Sequence, residues 1–198
     1  SSSLSRAPSP GRLDEGARAL AEVMDIRAGD RIVDIGCGCG TNGIFAGLRA
    51  GPAGFVAFVD SNVRSVALAG RNAAANGLTR FQPFASATIT GPEEGSFDVV
   101  LANPPYYAGG TIAETFVKCG HALLKPGGRF YLVTRQVSPT LLEEGGSSRG
   151  KARRTGVAVL EVVQEVFEEV DLALCRGYTV LCGKKDRGPP SRARSAAE

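Results

Sequence analysis

Residues 31–41 read Arg-Ile-Val-Asp-Ile-Gly-Cys-Gly-Cys-Gly-Thr. A short apolar run passes straight into three glycines on alternate positions, and a helical pattern follows over 42–49. A run that is apolar on both faces is what a central parallel strand requires. Glycines at 36, 38 and 40 let the chain turn sharply and let a ligand approach without interference from Cβ atoms. The helix that follows offers unpaired N–H groups to a carboxylate or phosphate. The spacing is G-x-G-x-G preceded by Asp34, whereas dinucleotide-binding loops favour G-x-G-x-x-G.

Outward from this loop, apolar runs alternate with helical patterns. Strands are expected at 31–35, 55–60, 81–85, 97–102 and 129–134, each read as a central strand. Helices are expected at 12–24, 42–49, 62–76 and 111–124, the third stopped by Asn76-Gly77. Over 157–170, Val159, Val163, Val166 and Val170 share one side while Glu161, Glu165, Glu168 and Glu169 lie mostly on the other, which is an amphipathic helix. Segments 171–176 and 178–184 around Gly177 form a two-stranded finish. The pattern is α/β: a Rossmann-like, doubly wound, seven-stranded sheet, mostly parallel with an antiparallel terminal strand. It forms one domain over 11–185, flanked by Ser-, Pro-, Ala- and Arg-rich tails at 1–10 and 186–198 that read as disordered.

Composition excludes several classes. The chain has 198 residues, 43% hydrophobic and 22% charged, enough for one buried core. No apolar run is long enough to span a membrane, and the first ten residues lack the pattern of a secretory signal. The five cysteines (37, 39, 119, 175 and 182) are odd in number and have no zinc-type pair spacing, so no metal is expected and free thiols in a reducing cytoplasm are. The net charge of +3 belongs wholly to residues 184–198, and the rest of the chain balances to zero. Affinity for phosphates must therefore come from local patches. One such patch, residues 145–154, carries Arg149, Lys151, Arg153 and Arg154 with no acid and is read as a flexible RNA-contacting loop.

Two further features carry chemistry. Asp60 ends the second strand, where a carboxylate can accept hydrogen bonds from both hydroxyls of a ribose. The fourth strand ends in Leu101-Ala102-Asn103-Pro104-Pro105-Tyr106, at the carboxyl end of a central strand, where open α/β sheets bind ligands. DIGCGCG followed by VDSNVRSVALAGRNAAANGL resembles motif I and the second strand–helix unit of class I S-adenosylmethionine-dependent methyltransferases. SPGRLDEGARAL (9–20), NPPYYAGG (103–110) and LKPGGRF (124–130) are similar to segments of the "methyltransferase small" family, which includes ribosomal RNA guanine-N2 methyltransferases. The guanine enzymes commonly carry Phe then His after the prolines, where Tyr106 and Tyr107 stand here.

The resemblance implies that Gly36, Cys37, Gly38 and Gly40 wrap the methionine part of S-adenosylmethionine, that Asp34 orients its amino group, and that Asp60 with Ser61 holds the ribose. Members often place an acid after the third strand to bind the adenine. Here Phe84-Ala85-Ser86-Ala87 has none, and either Ser86 or the backbone alone would make that contact.

The target nitrogen is planar and a poor nucleophile, because its lone pair is delocalised. Two acceptors, the Asn103 side-chain oxygen and the Pro104 carbonyl, would take its two N–H hydrogens and turn the lone pair toward the sulfonium methyl, with Asn103 bordering the cofactor as well. Tyr106 would stack on the target. The product would be S-adenosylhomocysteine. The expected function is methylation of an exocyclic amino group of a base, guanine N2 of ribosomal RNA or a ribosomal particle, in the cytoplasm. A protein glutamine methyltransferase and a non-catalytic RNA-binding subunit remain open alternatives. His121, the single histidine, is read as structural.

Overall fold

The computed structural model describes residues 14–104, 110–135 and 151–187. Within them run α1 (Glu15–Val23), β1 (Arg31–Ile35), α2 (Thr41–Ala50), β2 (Phe55–Asp60), α3 (Val63–Ala75), β3 (Phe81–Ala85), β4 (Phe97–Ala102), α4 (Gly110–Leu123), β5 (Leu124–Arg135), α5 (Lys151–Val166), β6 (Glu169–Cys175) and β7 (Tyr178–Lys184). The strands form one sheet in the order β3-β2-β1-β4-β5-β7-β6. Neighbours from β3 to β5 are parallel, and β7 lies antiparallel between β5 and β6. The last strand is thus antiparallel, as expected, but β6 is the one that takes the edge.

Alternation along each strand creates two cores. Ile32 of β1, Val99 and Leu101 of β4 and Val133 of β5 face α1, α2 and α3. Val33 and Ile35 of β1, Val100 of β4 and Phe130 and Leu132 of β5 face α4 and α5. Reversal of winding after β3 leaves a crevice between the carboxyl ends of β1 and β4, where ligands of such sheets bind.

The sequence expectations need correction in four places. β3 is an edge strand, half exposed, and it accommodates Pro83, whose missing N–H would interrupt a central strand. β5 begins at Leu124: Phe97 pairs with Leu124 and Val99 with Arg129, so the Lys-Pro-Gly-Gly segment bulges out of the ladder. α5 ends at Val166, and Val170, read as its last apolar position, instead pairs with Gly183 in the sheet. The helical period of the valines ran on past the point where strand pairing takes over. α5 also begins at Lys151, so Lys151, Arg153 and Arg154 belong to its first turns and not to a flexible loop. Gly145–Gly150 and Arg149 lie outside the described residues, as do the first ten residues, Pro105, Tyr106 and Tyr107. The described chain continues past 185: the Asp186 carbonyl accepts the Gly127 N–H.

Among the described residues, no helix is long and apolar enough to cross a membrane, and no three metal-ligating side chains cluster. All five cysteines are unpaired. The His121 ring packs edge-on against Phe167 at 5.1 Å, and burial, then the nearby Lys185 charge, lowers its pKa.

Candidate active site

A cleft of about 820 Å³ opens at the carboxyl ends of β1, β2 and β4, within the range of small-molecule sites. Of the residues expected there, Gly36, Gly38, Asp60, Ser61, Ser86, Asn103 and Pro104 line it. Asp34, Cys37 and Gly40 do not.

The glycine loop hangs from β2 by two bonds, because the N–H groups of Gly36 and Cys37 both donate to the Val59 carbonyl (2.8 and 3.0 Å). Gly36, Gly38 and Gly40 all have positive φ (67°, 54° and 88°), a region that residues with a Cβ avoid. At Gly36 proximity adds to this: a Cβ would sit 2.9 Å from the Phe116 ring, which leans across from α4 and forms part of the cleft wall. A Cβ on Gly38 would meet no protein atom within 4 Å. The space in front of that backbone is available to a ligand.

Asp60 is held at both oxygens. Oδ2 accepts the Gly38 N–H at 2.9 Å and Oδ1 the Asn62 N–H at 2.8 Å. Each oxygen keeps a further lone pair, so the carboxylate is oriented in advance to receive two hydroxyl donors. Asn62 in turn caps α3, its Oδ1 accepting from the N–H groups of Arg64 and Ser65.

Asp34 lies beneath the loop, 1% exposed, with Oδ2 accepting the Gly43 N–H at 2.8 Å. Its place is to tie β1 to the first turn of α2, which aims the glycine loop from behind. Burial pushes its carboxyl pKa up to about 7; the Gly43 N–H opposes the rise and the Asp60 charge adds to it. The Cys37 thiol is likewise buried, and burial first, then Asp34 and Asp60, raises its pKa, so it is an inert packing group.

Gly43 is part of the same support, because a Cβ there would fall 2.5 Å from Phe58 Cε1 and 3.0 Å from Asp34 Oδ2. Ala in a helix is worth about 1 kcal/mol over Gly. Overpacking against a fully buried Phe58 costs about 1–3 kcal/mol, and lengthening the bond to Asp34 costs about 1–3 kcal/mol more. Gly43→Ala is therefore expected to destabilise the domain by about 1–5 kcal/mol. Urea denaturation measures this, and a variant as stable as the parent contradicts the packing.

Ser86 is partly committed. Its Oγ accepts the Thr90 N–H at 2.9 Å and lies 2.9 Å from Thr90 Oγ1, which closes the turn after β3. Within that turn Ile89 has φ 59°, a strained value for a β-branched residue, and it is 8% exposed against the cleft. Its apolar face forms a wall where sequence reasoning looked for a polar group. Nothing in the local pattern marks Ile89, because its place depends on the turn.

Asn103 and Pro104 follow β4 and line the same cleft, as do Ile112 and Thr115 of α4. The Asn103 amide donates from Nδ2 to Asp14 Oδ2 at 2.9 Å. Asp14 also caps α1, with Oδ1 accepting the Gly16 N–H at 3.2 Å. Asp14 lines the cleft and was not singled out from the sequence, since its link to Asn103 spans 89 positions.

A glycine loop at the first strand, a ribose-type carboxylate at the second and an Asn-Pro turn at the fourth, on a sheet of this order, are the fold and cleft of a class I S-adenosylmethionine-dependent methyltransferase. Residues 4–171 match the methyltransferase small domain, and the chain belongs to that family.

Ribosomal RNA small subunit methyltransferase C of Chromohalobacter salexigens is 35% identical over 137 residues, covering 65% of this chain and 40% of that protein. Ribosomal RNA large subunit methyltransferase G of Colwellia psychrerythraea is 29% identical over 133 residues, covering 63% and 34%. Among solved structures, the T. thermophilus 16S rRNA N2 guanine methyltransferase, in complex with AdoMet and guanosine, superposes with TM-score 0.67 at 25% identity, over 89% of this chain and 44% of that one. The chain thus spans about 40% of the first of these relatives.

Proposed function

We propose that this chain methylates the N2 amino group of guanine in ribosomal RNA, using S-adenosylmethionine, in the cytoplasm. The observation that carries the reading is that Asn103 and Pro104 line the same cleft as Gly38 and Asp60, so that an amino-group acceptor pair and a donor cradle would share one space. The ribosomal RNA activities named for the relatives favour RNA over a glutamine side chain as the target.

The residues present fit the donor. The open space before Gly38 admits its amino-acid part, Asp60 offers two oriented acceptors to its ribose hydroxyls, and Ile89 gives its adenine an apolar face. Asp34, Cys37 and Gly40 would act indirectly, by shaping the loop. Ser61 and Ser86 would border the ribose and adenine. When bound, S-adenosylmethionine supplies an electrophilic methyl group on a sulfonium and leaves as S-adenosylhomocysteine.

Asn103 Oδ1 and the Pro104 carbonyl would accept the two hydrogens of the target NH₂. That draws the nitrogen toward tetrahedral geometry and stabilises the positive charge it develops. Fixed φ at Pro104 holds the carbonyl in place. Tyr106 would stack on the base, and the basic run from Arg149 to Arg154 would meet RNA phosphates.

The test incubates the protein and S-[methyl-³H]-adenosylmethionine with deproteinised ribosomal RNA and with assembled subunits, and digests the products to nucleosides. Label in N2-methylguanosine is expected. Label in another nucleoside or in a protein glutamine overturns the reading. Asp60→Ala should weaken donor binding by about 10- to 100-fold, as loss of charge-assisted hydrogen bonds does; titration calorimetry giving the parental Kd would remove the ribose assignment.

A further inference from the structure

Asn103 can help an amino group only in one of its two amide orientations. With Oδ1 toward the target it accepts an N–H; turned by 180° it presents an NH₂ to an NH₂, two donors face to face. The two orientations have nearly the same shape, so something other than packing must choose between them. Asp14 is placed to do so. Its Oδ2 lies 2.9 Å from Asn103 Nδ2, and an ionised carboxylate accepts only, so the Asn103 oxygen cannot take that position. Among the described residues no hydrogen bond engages Asn103 Oδ1, which leaves it for the cleft that both residues line.

We infer that Asp14 is a positioning residue for methyl transfer, locking the Asn103 amide with its oxygen toward the target nitrogen; this deepens the proposed function and rests on it. The carboxylate is itself fixed, because Oδ1 accepts the Gly16 N–H while Asp14 serves as the N-cap of α1. One acid thus couples the start of α1 to the end of β4. The charge also acts through the amide. Donation from Nδ2 to an anion raises electron density on Oδ1, making it a better acceptor as the target nitrogen becomes positive.

Capping alone is the simpler role for Asp14, and two variants separate the roles. Asn and Ser are both good N-caps, so Asp14→Asn and Asp14→Ser preserve the start of α1. Asp14→Asn that keeps its Oδ1 on Gly16 turns an NH₂ toward Asn103 and favours the wrong amide orientation. Asp14→Ser is too short to reach. Both are expected to lower kcat by about tenfold or more, with KM for RNA, the Kd for S-adenosylmethionine and Tm close to parental values.

A second readout does not depend on activity. In ¹⁵N-labelled protein the Asn103 side-chain NH₂ pair, assigned by its absence in Asn103→Ala, should shift on Asp14→Ser. Either a parental kcat in both variants or an unmoved NH₂ pair overturns the inference. Wild-type protein that labels no guanine overturns the proposed function instead, and the NH₂ signal still decides whether Asp14 holds Asn103.

Discussion

Asn103→Ala is expected to lower kcat for methyl transfer to RNA by about 10²–10³-fold, corresponding to roughly 2.7–4 kcal/mol of transition-state stabilisation for a preorganised hydrogen-bonding group. The size follows from what the side chain offers. In the proposed mechanism one of the two acceptors for the target NH₂ would disappear, and with it the restraint that aims the nitrogen lone pair. Donor affinity should stay within about twofold of the parent, because Gly38 and Asp60, the groups proposed to hold the donor, are bonded to each other and not to Asn103. Stability should change little. Asn103 is only partly buried and its one bond among the described residues is to Asp14, which still caps α1 through its other oxygen. Single-turnover kinetics at saturating donor measure the effect. A fall confined to KM would reassign Asn103 to binding, and an unchanged rate would remove it from the reaction.

How far the sequence could be read depends on whether a feature is local. β1, β2, β4 and β7 lie at the positions expected from their apolar runs, because a glycine turn signal stands just outside one end of each: Gly36, Gly54, Gly95 and Gly177. The edge position of β3 was misread although Pro83 signals it: Phe81, Phe84 and Ala85 look as apolar as a central strand, but a proline in mid-run has no N–H for a second neighbour, and the sheet order leaves that side unpaired. The glycine loop was legible because its turn chemistry is local. The exact duty of Asp34 was not, because it depends on the return of α2 to within 2.8 Å of its carboxylate. The same holds after β4. Asn103 and Pro104 line the cleft as their motif suggested, whereas Asp14 and Phe116 enter it from the start of α1 and from α4, by packing that no spacing encodes. Ile89 belongs with these: its strained turn follows from the bonds between Ser86 and Thr90.

Stability should fall as pH rises from 5 to 8, and Asp34 should be the cause. Its carboxyl titrates at about 7 in the folded protein against 3.8 as its ordinary value. Between these two the folded state binds a proton that the unfolded state has released, so unfolding gains with each step of pH. The contribution of the neutral carboxyl is whole below about pH 4, declines through the window and is gone above about pH 7. From pH 5 to 8 the expected loss is about 3 kcal/mol, a large part of a domain's margin. His121 acts in the opposite sense: its pKa is lowered by burial, so its contribution is present above 6.5 and is lost as pH falls. The lowered pKa values of Glu22 and Asp25 matter only at more acid pH. Comparing the parent with Asp34→Asn isolates the carboxyl, since the Asn oxygen can still accept the Gly43 N–H while no charge appears. Urea denaturation at pH 5, 6, 7 and 8 should give a parent that weakens relative to the variant by about 3 kcal/mol across the series. Parallel curves for the two proteins would mean that Asp34 is already ionised in the fold, and that a countercharge or water reaches it beneath the loop.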